Sequence, residues 1–259
     1  MNSAATKHPL VMAHMIPGYP DETIAEAAVA GLVKGGATHL EIQFPFSDPT
    51  ADGPVIQAAC ARSLENGFKV DAGFEFVGRV AARYDLPVYI MSYASLVYRR
   101  TVEQFVRDTK AAGAAGLIIP DLPVDSDEGL YEQAASAGLD VLPVVVPNTP
   151  PQRLQLLRDI KLRGVYAALR AGITGSRTEI GQENLEFLQR LRESLPGMDV
   201  RVFAGFGIRE ASQVEALSKH VDGVVIGSAL VEVIGGSTPQ NVAQRTAEAL
   251  QTMLGRSSG

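Results

Sequence analysis

Hydrophobic positions along the chain gather in short, nearly continuous apolar runs, separated by stretches with a helical period. The runs are 10–16 (LVMAHMI), 39–44 (HLEIQF), 87–93 (PVYIMSY), 116–120 (GLIIP), 140–146 (DVLPVVV), 164–169 (GVYAAL), 199–204 (DVRVFA) and 223–227 (GVVIG). Runs of this length, bounded by turn residues and apolar on both faces, read as parallel strands. Between them the period changes. Over 101–112, Val102, Phe105, Val106 and Thr109 recur at the i, i+3, i+4, i+7 spacing of one buried helix face. Over 184–195, Leu185, Leu188, Leu191, Arg192 and Leu195 form one stripe, with Asn184 placed to cap the helix. Gly113, Gly138 and Gly197 stand where helices stop. The stretch after the second run has room for an extra helix, at 51–67 and then 71–84.

Eight strands alternating with helices over about 250 residues make an α/β protein of the (β/α)8 TIM-barrel type, with residues 1–259 as a single domain. An open doubly wound sheet is the rival. It would place a Gly-rich turn after its first strand, whereas Ile16-Pro17-Gly18-Tyr19-Pro20 follows here. In a barrel, chemistry gathers in the loops at the C-terminal ends of the strands, so the residues just after each run matter most.

Composition narrows the function. The 259 residues are 46% hydrophobic and 20% charged, a globular balance. A net charge of −6 argues against nucleic acid or an anionic membrane as the main partner. The one cysteine, Cys60, excludes an internal disulfide and a Cys-cluster zinc site, and reads as a core residue. The four histidines show no ligand spacing, so no metal is expected. No apolar run approaches the roughly 18 residues of a membrane span. The 10–16 run lacks the basic flank and cleavage site of a signal peptide, and the expected location is cytoplasmic.

Two carboxylates draw attention. Glu41 lies inside an apolar strand, where alternation can point it into the barrel mouth; desolvation there would raise its pKa and suit proton transfer. Its plain alternative is a structural ion pair with a lysine or arginine. Asp52 sits in a Pro/Gly-rich loop, and its plain alternative is to cap the helix that starts near Pro54. Asp48, before Pro49, reads as a turn former. Tyr166 faces either the barrel mouth or the outside. Glycine turns at 172–175, 205–207 and 227–228 suit phosphate binding by backbone N–H groups. The loop 171–183 reads as a lid.

At this point a resemblance covers nearly the whole chain. Residues 40–54, LEIQFPFSDPTADGP, resemble the signature LELGxPFSDPxADGP of the tryptophan synthase alpha chain family. Pro17-Gly18-Tyr19-Pro20-Asp21, Asp121-Leu122-Pro123-Val124, Gly172-Ile173-Thr174-Gly175, Gly205-Phe206-Gly207-Ile208 and Gly227-Ser228-Ala229 follow in family order. The resemblance implies retro-aldol cleavage of indole-3-glycerol phosphate to indole and glyceraldehyde 3-phosphate, in tryptophan biosynthesis. It implies Glu41 as the general acid/base and Asp52 as the group that stabilises the indole N–H. It places Tyr166 along the site, Thr174 in the lid, and Gly175, Phe206, Gly207, Gly227 and Ser228 around the phosphate. It implies no metal or organic cofactor in this chain; pyridoxal phosphate belongs to the partner β chain of an α2β2 assembly.

The chain departs from the family pattern in places. Ser95, Leu96 and Thr101 replace the usual Asn, Pro and Gly of the loop that touches the β chain. Gln43 replaces a glycine, and His14 and Ile16 stand where an apolar residue and a threonine are common near the indole pocket. These departures motivate a second reading, a stand-alone lyase with the same Glu41 and Asp52 chemistry. A third is a non-catalytic paralogue that binds a phosphorylated ligand.

Overall fold

The computed structural model describes residues 9–160, 162–169, 180–195, 197 and 199–256. Its strands are β1 (Leu10–Met15), β2 (His39–Gln43), β3 (Val88–Met91), β4 (Gly116–Ile118), β5 (Asp140–Val141), β6 (Val144–Val145), β7 (Gly164–Ala168), β8 (Arg201–Gly205) and β9 (Gly223–Ile226). All pair in parallel, in the order β5-β4-β3-β2-β1-β9-β8-β7-β6. The two edges of that order are successive pieces of one run. Pro143 divides the expected strand 140–146, because proline brings no N–H to a ladder. The first half pairs with β4, and Leu142 N–H reaches Leu117 O at 2.9 Å. The second half pairs with β7, and Pro143 O accepts Tyr166 N–H at 2.9 Å. The nine segments are therefore the eight staves of a closed TIM barrel.

The helices are α1 (Glu22–Lys34), α2 (Pro54–Glu65), α3 (Val70–Arg83), α4 (Ala94–Arg100), α5 (Val102–Ala111), α6 (Leu130–Ser136), α7 (Pro151–Leu156), α8 (Gln182–Ser194), α9 (Ala211–Leu217), α10 (Ser228–Gly235) and α11 (Val242–Met253). The expected face of α5 is buried, and α2 and α3 fill the stretch after β2. In α8 the cap moves: Gly181 is the N-cap, and Asn184, three residues in, accepts Gly181 N–H with Oδ1 at 3.2 Å. Phe187 joins Leu188 and Leu191 on its buried face. Gly113 and Gly138 take positive φ after their helices, as a C-terminal stop needs, and Gly197 does not.

Strand alternation sorts the core into two layers. Val11, Ala13, Met15, Leu40 and Ile42 face out toward the helices. Met12, Tyr89, Met91, Tyr166, Phe203 and Val225 fill the barrel interior. His39 lies buried in that interior, edge-on to Phe203 at 5.2 Å. Burial, aided by the charge of Arg201, lowers its pKa to about 4, so it stays neutral at pH 7. Among the described residues, no helix is long and apolar enough to cross a membrane.

Thr101 holds the joint between α4 and α5 at φ 69° and ψ 146°. That region is essentially reserved for glycine and strains a β-branched residue. A threonine thus stands in a backbone shape that favours glycine, the residue usual in the family pattern. Its Oγ1 recovers part of the cost by accepting Gln104 N–H at 3.3 Å. Thr101→Gly is expected to stabilise the fold by about 1 kcal/mol, because strain relief outweighs the lost cap and the freer unfolded chain. Urea unfolding would show a higher midpoint at unchanged slope; a lower midpoint would refute the strain.

Candidate active site

A pocket enclosing about 610 Å³, its open mouth included, lies at the C-terminal ends of the strands. Glu41, Asp52, Tyr166, Phe206, Gly207, Gly227 and Ser228, singled out from sequence, all line it. Thr174 and Gly175 lie outside the described residues, as does most of the 171–183 loop.

Glu41 points inward from β2 and is 4% exposed. Its partner is not a lysine or arginine: His14 Nδ1 lies 2.8 Å from Glu41 Oε2, in a pair buried on both sides. Asp52 does not cap α2, whose N-cap is Gly53 with Pro54 in the first turn. Its backbone is fixed instead, with Asp52 N–H on Pro49 O at 3.0 Å and Asp52 O accepting Gln57 Nε2 at 2.7 Å. That frees the carboxylate for the pocket. Gln43 Nε2 and Tyr93 Oη each donate to Asp52 Oδ2 at 2.7 Å. Tyr93 Oη in turn accepts Ala51 N–H at 3.1 Å. Asp48 is exposed in a turn, where its carbonyl accepts Thr50 N–H.

Burial pushes Asp52 above the usual carboxylate range. The Tyr93 hydroxyl, His14 and the Gln43 amide pull it back, and the Glu41 charge adds to the push. Burial and then the Asp52 charge raise the Tyr93 phenol, which remains a neutral donor. Burial also pushes the Cys60 thiol up to about 12; it sits 3.4 Å from Gln43 Nε2 as an inert buried group.

Tyr166 resolves inward, 6% exposed, with its ring edge-on to Phe206 at 6.0 Å. A Cβ built on Gly205 would lie 2.3 Å from Tyr166 Oη, so the glycine is the space that the phenol occupies. Phe206 and Gly207 follow at φ 76° and 81°, a left-handed turn after β8. After β9, Gly227 is the N-cap of α10 and brings no side chain to its first turn. Among the described residues, Arg209 is the cationic side chain lining the pocket, and it is ion-paired with Glu232 on α10. No group of three potential ligands for a metal ion occurs among the described residues.

The sequence profile of the tryptophan synthase alpha chain family matches residues 1–256. This chain belongs to that family.

A tryptophan synthase alpha chain from Helicobacter hepaticus is 35% identical over 92% of this chain and 90% of its own length. One from Gloeobacter violaceus is 38% identical over 89% and 83%. Among solved structures, tryptophan synthase from Mycobacterium tuberculosis superposes with a TM-score of 0.85 at 30% identity, covering 96% of this chain and 94% of that one. The tryptophan synthase complex from Pyrococcus furiosus gives 0.83 at 30% identity, covering 95% and 98%. Family membership makes the chain a lyase of tryptophan biosynthesis, and favours the alpha-chain reading over a stand-alone lyase or a non-catalytic paralogue.

Within this family frame, Tyr93 is the member of the site that sequence reading had not named, while Gln43 and His14, noted there as departures from the family pattern, prove to be the direct partners of Asp52 and Glu41. Alternation gives the direction of these two. Gln43 is two residues past Glu41, and His14 two past the interior Met12, so both face inward. Tyr93 lies past the end of β3 and reaches Asp52 because β3 pairs directly with β2, which puts the segments after the two strands side by side.

Proposed function

We propose that the chain cleaves indole-3-glycerol phosphate to indole and glyceraldehyde 3-phosphate. The observation that carries this reading is one pocket with two buried carboxylates in unlike surroundings. Glu41 faces a histidine, and Asp52 faces two neutral donors. Unlike environments suit unlike roles.

Protonation of indole C3 by Glu41 leaves a cation shared with the ring nitrogen. Asp52, with Oδ2 occupied by Gln43 and Tyr93, offers Oδ1 to the indole N–H and stabilises that charge in a water-poor site. Glu41 then takes the proton of the side-chain hydroxyl. The O–H electrons form the aldehyde, and the C–C bond electrons return to the ring. C3 gains one proton and the hydroxyl loses one. Tyr166 walls the ring, and backbone N–H groups around Phe206, Gly207, Gly227 and Ser228 take the phosphate, with the α10 dipole behind them.

The partner we infer is a tryptophan synthase β chain in an α2β2 assembly, carrying pyridoxal phosphate and consuming the indole. The match to solved tryptophan synthase complexes supports it. So does α4, which exposes Ser95 and Tyr98 in the loop that the resemblance assigns to that contact. The test is indole release from the purified chain, with and without the β chain of the same source. Release that rises strongly with the β chain is expected. Release that ignores it would refute the partnership, and no release in either case would refute the reaction.

Gly227 gives a narrower check. A Cβ there would meet His14 at 3.7 Å, an ordinary contact, so the protein itself does not exclude it. What a methyl group would obstruct is the approach of an anion to the backbone. Gly227→Ala is expected to keep the fold and weaken binding of glyceraldehyde 3-phosphate about tenfold, the equivalent of one hydrogen bond to a charged group. Unchanged affinity by calorimetry would place the phosphate elsewhere.

A further inference from the structure

His14 stands between the two ends of the proposed substrate, and the strand order puts it there. On one side of β1, β2 carries Glu41; on the other, β9 runs into Gly227 and Ser228. In register His14 lies beside Glu41, and Ala13 beside Ile226, which brings His14 alongside Gly227. The ring is 3% exposed and lines the pocket. Nδ1 is bonded to Glu41 Oε2. Nε2 is buried without a hydrogen-bond partner among the described residues. A buried ring nitrogen in that condition is costly, and at a pocket wall it marks where a ligand atom bonds.

We propose that His14 works from both ring nitrogens: Nδ1 fixes the Glu41 carboxylate, and Nε2 bonds a hydroxyl of the substrate's glycerol side chain. This inference rests on the reaction proposed above. Glu41 must face the hydroxyl on the carbon that becomes the aldehyde, and the turn at Gly227 must face the phosphate. The carbon between them carries the second hydroxyl, and His14 is the side chain beside that span. In the neutral ring, with Nδ1–H donating to the carboxylate, Nε2 holds a lone pair and accepts the hydroxyl hydrogen; in the protonated ring Nε2–H donates to the hydroxyl oxygen instead. The Nε2 bond thereby anchors the side chain on binding, while the Nδ1 bond keeps the Glu41 carboxylate aimed at the hydroxyl it deprotonates.

Three variants separate the two arms. His14→Phe keeps the ring volume and removes both nitrogens. His14→Asn keeps an amide near the Nδ1 position, and His14→Gln reaches toward the Nε2 position. Each is assayed in the full chain for kcat and KM with indole-3-glycerol phosphate, and for inhibition by 3-(indol-3-yl)propyl phosphate, the same skeleton without hydroxyls. His14→Phe is expected to lower kcat/KM about 100-fold, the loss of two hydrogen bonds, and to leave inhibitor affinity within twofold. Asn is expected to restore kcat with KM still raised, and Gln to restore KM with kcat still low. An active wild-type chain whose His14→Phe variant keeps kcat/KM within twofold overturns the inference alone. Equal losses in all three variants, with inhibitor binding falling in parallel, overturn it too, because they mark a ring that only fills space. An inactive wild-type chain would sink the reaction, and the inference with it.

Discussion

Glu41→Gln is expected to lower kcat for indole release by about 10³-fold, within the range a positioned general acid/base contributes. The loss follows from two proton transfers assigned to one group. Glutamine neither delivers a proton to C3 nor accepts one from the hydroxyl, so both halves of the reaction stop. The fold survives the change, because the glutamine carbonyl oxygen still accepts from His14 Nδ1 where the carboxylate accepts now. KM is expected to change little, since the phosphate and the ring are held by other groups. Steady-state kinetics with a circular-dichroism melt on the same sample separates the outcomes. A folded Glu41→Gln chain that keeps more than a tenth of the activity would remove Glu41 from the chemistry.

Asp52→Asn is expected to cost about 10²- to 10³-fold in kcat, comparable to losing a preorganised group that faces developing charge. The geometry makes this substitution worse than a simple loss of charge. Gln43 and Tyr93 both donate to the Oδ2 position, so asparagine must put its carbonyl there. Its NH2 then points where Oδ1 was and meets the indole N–H donor to donor. The same change is expected to leave the melting temperature at pH 7 equal or higher. Asp52 titrates above the usual range in the folded chain because burial disfavours its charge, so the charged form costs stability at pH values above that range. By the same sign, wild-type activity falls on acidification earlier than an exposed aspartate would dictate, as the buried Asp52 takes up its proton. A melting temperature that drops sharply in Asp52→Asn would mean that Asp52 is structural.

Much of the fold was legible because parallel strands buried on both faces leave unbroken apolar runs, and eight such runs with helices between them admit few closures. What escaped was local. Pro143 sits inside an apolar run and divides it, because a missing N–H carries no hydropathy. Asn184 has the chemistry of a cap but acts three residues into α8, since its side chain can reach back to Gly181. In the site, Glu41 stood out as a charge inside an apolar strand, and Asp52 as an acid in a rigid loop. Of their partners, Gln43 and His14 stood out only as departures from the family pattern, and Tyr93 did not stand out at all. His14, Gln43 and Tyr93 are brought to the carboxylates by the register β1 keeps with β2 and β2 with β3, and register is a property of paired strands rather than of any one segment.

The phenol of Tyr166 occupies the place a side chain at Gly205 would need. These two positions are therefore bound in their histories. A lineage that enlarges residue 205 first meets an immediate clash, while one that trims residue 166 first opens the pocket floor and only then gains room at 205. A pocket altered to take bulkier ring substituents is reached more cheaply by the second route, because the geometry favours one order of the two changes.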